Sequence, residues 1–300
     1  VGLFTNATMH TPVEVTDNAL SIVAECKADA VVAIGGGSTI GLGKAIALRT
    51  DLPQIVLPTT YAGSEMTPIL GQTEGGVKTT QRTLKVLPET VIYDVELTTS
   101  LPPLMSVTSG LNAMAHAVEA LYASNTNPIT AMMAESGIAA LYAGLPKVAR
   151  APDDLEARAD ALYGAWLCAI CLGASQMALH HKLCHVLGGS FDLPHAETHA
   201  IVLPHAIAYN APAAREAMAA LKRALGGEGV AGRIFDVAAE AGAATALRDI
   251  GMPEDGLDRA LELVLASPYA NPRPIERELL GRLLRHAWQG TRPDHSSYAS

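Results

Sequence analysis

The chain changes character at Leu101-Pro102-Pro103, and this change constrains the fold more than any other feature. Before it, short apolar runs alternate with helical periodicity. A helical run passes through Leu20, Val23 and Ala24 with Thr16 as its expected cap, and Ala30–Ile34 reads as a buried strand. A helix then runs through Lys44 to Leu48. Further strands are expected at Ile55–Leu57 and at Val91–Tyr93, the latter ended by Asp94. Strands alternating with helices predict a parallel α/β sheet. Beyond Pro102 strand-like runs almost vanish, and Ala- and Leu-rich helical segments continue to about Gln289. The expected layout is an α/β domain over 1–101, an all-helical domain over 102–289, and a polar tail over 290–300 expected to be disordered. No internal repeat is visible.

Of the 300 residues, 49% are apolar and 17% charged, enough for a substantial core and too few charges for a disordered chain. The formal charge of −9 argues against nucleic acid and anionic membranes as partners. No apolar stretch reaches the ~18–20 residues of a membrane span, and no signal peptide is recognisable, so a cytoplasmic location is expected. The chain opens at Val1 and reaches a strand–glycine turn–helix unit already at Ala30. A dinucleotide-binding half normally begins earlier, so an upstream segment is expected. Cys168 and Cys171 lie inside the apolar run AWLCAICLG and read as core residues rather than a redox or zinc pair.

Two loops carry a possible phosphate-binding chemistry. GGGSTIGLGK places Gly35, Gly36, Gly37 and Ser38 between a strand and a helix. Glycines there let backbone amides approach a pyrophosphate, and the helix N-terminus favours its charge. The pattern is neither GxGxxG nor a P-loop, and glycine turns after strands are often only turns. The second loop follows the next strand and offers Thr59, Thr60, Ser64 and Thr67, hydroxyls suited to ribose and phosphate. Downstream, Lys78, Arg82 and Lys85 concentrate cationic charge and are candidates for holding carboxylates or cofactor phosphate, unless they form a solvated face.

Six of the ten histidines fall between His180 and His205. His181 and His185 stand four apart, so a helix places them on one face. Gly188-Gly189 is expected to break that helix, and the chain returns with Pro194-His195. Upstream, Asn112 and His116 form another i, i+4 pair in SGLNAMAHAVEALY. Two such helices and one histidine from a following loop build a polar pocket, with His116, His181, His185 and His195 as catalytic candidates. His199 and His205 are read as structural.

GGGS followed by a lysine, TTYAGSEMT and the two histidine-bearing helices together resemble the iron-containing (group III) alcohol dehydrogenase family, from Val1 to about Gln289. The resemblance implies a nicotinamide-binding α/β domain, an all-helical domain, a site in the interdomain cleft, NADH or NADPH as cofactor, and a homodimer. It also implies a divalent metal, iron or zinc, held by an aspartate and three histidines. Matched by motif, Asn112 stands in the aspartate's place, with His116, His181 and His195 at the histidine positions. His185 matches a non-ligand histidine lining the substrate pocket. The family's glycine turn also carries an aspartate where this chain has Gly41. A neutral amide is a poorer donor to a divalent cation than a carboxylate, although three imidazoles still bind zinc. The resemblance therefore implies a vestigial metal site.

GQTEGGVKTTQRTLKVLPETVIYD and both histidine segments look most like the family branch that reduces the C=C bond of a small 4-oxo-2-enedioate, including chlorinated forms. Hydride would add at the carbon β to the ketone, and His185 or His181 would stabilise and protonate the enolate, with His116 and His195 completing the cage. The rival readings are a metal-dependent alcohol dehydrogenase, an inactive cofactor-binding protein, and a lyase of the same superfamily.

Overall fold

A computed structural model describes residues 1–294 and 296–298, with the Lys78 side chain also outside the described set. The chain divides into two compact units, Val1–Leu101 and one beginning at Pro102.

The first unit is built around two helices and two small sheets. The helices are α1 (Val13–Cys26) and α2 (Gly37–Thr50), and the strands are β1 (Val31–Gly35), β2 (Gln54–Pro58), β3 (Ile69–Glu74), β4 (Val77–Arg82) and β5 (Thr90–Val91). β1, β2 and β5 form a parallel sheet in the order β1-β2-β5. Leu42 and Ile46 of α2 pack with Ala19 of α1, Ile40 packs with Ala33 and Val56 of the sheet, and Ala45 packs with Leu70 and Val86. α2 is buried on three sides for that reason.

Three expectations are corrected in this unit. Thr16 does not cap α1. The helix starts one turn earlier, at Val13 with Pro12 as N-cap, and Thr16 bonds back through both its amide and its Oγ1 to Pro12 O at 3.2 Å. The expected strand at Val91–Tyr93 is only Thr90–Val91, extended by a single bond from Ile92 N to Val56 O. The segment read only as cationic is the antiparallel hairpin β3–β4, turned on Gly75 and Gly76 at φ +53° and +79°. Two successive positive φ values are what a two-residue hairpin loop of the primed type demands.

The second unit is helical: α3 (Pro103–Tyr122), α4 (Pro128–Arg150), α5 (Leu155–Ala174), α6 (Leu179–Phe191), α7 (His195–Asn210), α8 (Arg215–Leu225), α9 (Val230–Glu240), α10 (Gly256–Leu265) and α11 (Arg277–Gln289). α3 is its centre, buried continuously from Ser106 to Leu121 and packed against α4, α5 and α7. Leu111, Leu141, Leu183 and Leu203 are each fully buried, worth roughly 1.5–3 kcal/mol apiece against exposure. No single helix among the described residues is long and apolar enough to cross a membrane.

Two further expectations fail here. Gly188 and Gly189 lie inside α6, which continues to Phe191 and stops where Asp192 turns left-handed at φ +53°. Each helical glycine costs about 1 kcal/mol relative to alanine, and burial of Leu183 and Leu187 on the same helix overrides it. The stretch 290–300, expected to be disordered, contains a tied-down residue. Tyr298 is buried, its hydroxyl meets His205 Nδ1 at 2.8 Å, and its carbonyl accepts from Arg273 at 2.8 Å. Asp294 organises the preceding turn by accepting from Ser296 and Ser297. Burial and two polar anchors hold Tyr298, while residues 295, 299 and 300 of the stretch lie outside the described residues.

Candidate active site

In the first unit, the glycine turn and the hydroxyl loop meet at the carboxyl ends of β1 and β2. Gly36 is the N-cap of α2, and Thr59 N donates to Gly35 O at 3.1 Å. A Cβ on Gly36 would stand 3.0 Å from Thr60 Cγ2, so the close approach of the two loops requires glycine there. At Gly37 the nearest atom to such a Cβ is Ala62 Cβ at 3.8 Å, ordinary contact. The amides of Gly37 and Ser38 are first-turn donors of α2, the groups a helix leaves without intrahelical partners. Gly41, where the resemblance implies an aspartate, faces Thr11 Oγ1 at 2.6 Å from a would-be Cβ, so a side chain needs Thr11 to move.

Lys44 explains how the second loop is held. Its side chain is fully buried, and Nζ donates to Ser64 O, Thr67 O, Thr67 Oγ1 and Ile69 O at 2.5, 2.7, 3.0 and 3.0 Å. Burial pushes its pKa down to about 7, against the raising field of buried Glu65. Thr67, expected beside the cofactor, therefore has its hydroxyl inside this knot, where it also donates to Ser64 O. Ser64 joins through its carbonyl, while Thr59 and Thr60 are half-buried on the loop.

The cationic candidates that the structure describes lie on the surface. Lys85 sits on the surface 3.5 Å from Asp51, and Arg82 is exposed on β4. The Lys78 side chain lies outside the described residues.

In the second unit, the histidines converge. The rings of His116 (α3) and His181 (α6) have centroids 5.2 Å apart, His181 and His185 6.2 Å, and His195 and His199 4.3 Å. His199 lies 5.2 Å from His181, so all four catalytic candidates belong to one linked cluster. His116 and His181 are buried, whereas His185 and His195 are exposed at its rim. Burial, reinforced by neighbouring imidazoles, pushes His116, His180 and His199 well below the usual histidine range. These three rings are neutral at physiological pH.

The sequence reading missed Glu119. Its side chain is fully buried, accepts the backbone amides of Ala178 and His180 at 2.8 and 2.7 Å, and meets His181 Nδ1 at 2.7 Å. Because a carboxylate only accepts, Nδ1 of His181 carries a proton and Nε2 is the nitrogen left to face the site. A signal was present: Asn112, His116 and Glu119 recur at i, i+4 and i+7, one face of α3.

Asn112 Oδ1, His116 Nδ1 and His181 Nε2 are buried without hydrogen-bond partners among the described residues, which marks a place for a polar guest. Asn112, in this set, contributes a neutral amide oxygen, a poorer donor to a divalent cation than a carboxylate. Among the described residues the group whose ligand atoms all lie within 4.8 Å of one another is His180, Cys184 and His199.

Comparison with known proteins places the whole chain in a family. Residues 1–95 match the family described as iron-containing alcohol dehydrogenase, and residues 106–288 match the Fe-containing alcohol dehydrogenase family, C-terminal. The chain is 56% identical over 293 residues to a maleylacetate reductase of Sphingobium indicum, covering 98% of this chain and 83% of the relative. A solved maleylacetate reductase from Agrobacterium tumefaciens superposes with TM-score 0.94 at 59% identity, covering 97% of this chain and 83% of that one. A putative alcohol dehydrogenase structure from Ralstonia eutropha JMP134 gives TM-score 0.96 at 59% identity, covering 98% and 83%. With family models matching both units and relatives more than half identical to it along nearly its whole length, the chain belongs to the iron-containing alcohol dehydrogenase family.

Proposed function

We propose that the chain is an NADH- or NADPH-dependent maleylacetate reductase, reducing the C=C bond of a 4-oxo-2-enedioate to give 3-oxoadipate. The observation that carries this reading is the 56% identity to a maleylacetate reductase along 98% of the chain. The histidine cluster supplies the chemistry that such a reaction needs.

The first unit would hold the cofactor, with the amides of Gly36, Gly37 and Ser38 available to its phosphates and the Thr59–Thr60 segment to its ribose or phosphates. The nicotinamide supplies a hydride, which reaches the carbon β to the ketone when the cofactor is bound. Negative charge then moves through the conjugated system onto the ketone oxygen. His181, held at Nδ1 by Glu119, presents Nε2 to that oxygen; in its protonated form it donates there while Glu119 balances its charge. His185, one turn further along α6 and exposed, delivers the proton that completes the product. His116 and His195 close the polar cage. Conjugation to a ketone and a carboxylate already gives the hydride an electron-poor carbon. Arg82, Lys85 and Lys78 remain candidates for the substrate carboxylates, and chlorinated maleylacetates belong to the proposed substrate range. The enzyme is proposed to act in the cytoplasm as a homodimer.

The test is cofactor oxidation by the purified chain with maleylacetate, run beside short alcohols and simple ketones. Turnover of maleylacetate alone, lowered ~10²–10⁴-fold by His185→Ala with folding intact, is the expected result. Turnover of simple alcohols at a comparable rate would overturn it.

A further inference from the structure

The histidine-rich segment contains a second group, which the proposed reaction does not use. His180 and Cys184 stand one turn apart on α6, and His199 faces them from α7, with exposures of 0, 3 and 1%. His180 Nε2 lies 2.9 Å from His199 Nδ1 and 3.7 Å from Cys184 Sγ. A plain hydrogen-bonded pair of imidazoles accounts for the first distance. The nitrogens that face one another, His180 Nε2 and His199 Nδ1, also face the thiol, and these two with Cys184 Sγ form a group whose atoms all lie within 4.8 Å of one another.

We propose that His180, Cys184 and His199 bind one borderline-soft divalent cation of the zinc class, with a water in the fourth position. Two imidazoles and a thiolate are the donor set that selects zinc over magnesium or calcium. On a tetrahedral zinc ion the usual bond lengths put two nitrogen ligands about 3.3 Å apart and nitrogen and sulfur about 3.6 Å apart, so the histidine pair opens by only about 0.4 Å. The Cys184–His180 spacing already fits.

Binding converts the Cys184 thiol to thiolate and releases one proton, which halves the net charge of the buried ion and its ligands. The ion would tie α6 to α7, the helices that carry His181 and His195. None of its ligands belongs to the Asn112, His116, His181 and His195 set, so this site and the reductase reading stand or fall separately.

The full chain expressed in zinc-depleted, cobalt-supplemented medium tests it. About one equivalent of cobalt with a near-ultraviolet thiolate-to-cobalt charge-transfer band is expected, since only a sulfur ligand gives that band. Cys184→Ser should lose the band and at least tenfold in metal affinity, whereas His116→Ala and Cys168→Ser should keep both. Circular dichroism confirms that each variant is folded. No stoichiometric metal in the unsubstituted chain, a band that survives Cys184→Ser, or binding lost in His116→Ala would each overturn the proposal.

Discussion

The carboxylate of Glu119 meets His181 Nδ1 at 2.7 Å, with both side chains buried. This contact decides which nitrogen of His181 faces the site, and it ties α3 to the start of α6. Glu119→Gln keeps an oxygen for one backbone amide and removes the charge that supports a protonated ring. Turnover should fall at least tenfold, about 1.4 kcal/mol in the barrier, with KM for maleylacetate changed little. Steady-state kinetics alongside circular dichroism check this. A fall confined to KM would assign Glu119 to substrate binding instead.

Gly37 offers a cleaner probe of the cofactor loop than Gly36, whose substitution disturbs Thr60 whatever the ligand. Gly37→Ala meets only Ala62 Cβ at 3.8 Å, so the protein itself tolerates the methyl group. If cofactor phosphate lies against this turn, the dissociation constant for NADH should rise several-fold while the melting temperature holds. Fluorescence titration measures it, and an unchanged constant would remove Gly37 from the cofactor site.

Asn112→Asp places a carboxylate one helical turn from His116. Buried without a cation, that charge should destabilise the chain. Added iron(II) or zinc should restore the melting temperature in the variant far more than in the parent, since ligand binding stabilises in proportion to the logarithm of its concentration over Kd. Calorimetric scans with and without metal give the comparison. Equal metal responses in the two proteins would mean that the other three positions cannot assemble a site.

Acid should destabilise the helical unit through His205. Burial pushes its pKa from 6.5 down to about 3, with His286 adding to the shift. The unfolded chain therefore binds a proton between about pH 6.5 and pH 3 that the folded chain refuses. Stability is full above the unfolded value and declines as pH falls below it, by on the order of 4 kcal/mol at pH 3 from this group. Urea unfolding across that range should show a shallower decline for His205→Asn. Buried His116, His180 and His199, shifted the same way, steepen the parent's loss.

Much of the architecture is legible in residue patterns because each feature has a local cause. The Gly35–Ser38 turn, the helices carrying Asn112–His116 and His181–His185, and the change at Pro102 all follow from periodicity and punctuation. The errors have tertiary causes. Thr16 and Gly188 carry the usual signals of a helix start and a helix break, yet Pro12 begins α1 earlier and the packing of Leu183 and Leu187 carries α6 past its glycines. Tyr298 is fixed by His205 and Arg273, residues far off in the chain. Gly75-Gly76 was a hairpin signal that the neighbouring lysines obscured. Lys44 and Glu119 are harder, since a buried charge reveals itself only when the acceptors or donors gathered around it are seen.

Whether hydride goes to carbon or to a carbonyl is read from an isotope label. NADH deuterated at the transferred position should give 3-oxoadipate carrying one deuterium at the carbon β to the ketone, next to the distal carboxylate. One NADH should be consumed per product formed. Deuterium on a carbinol carbon, with the double bond intact, would contradict addition at that carbon and return the chain to the carbonyl-reducing chemistry of its wider family.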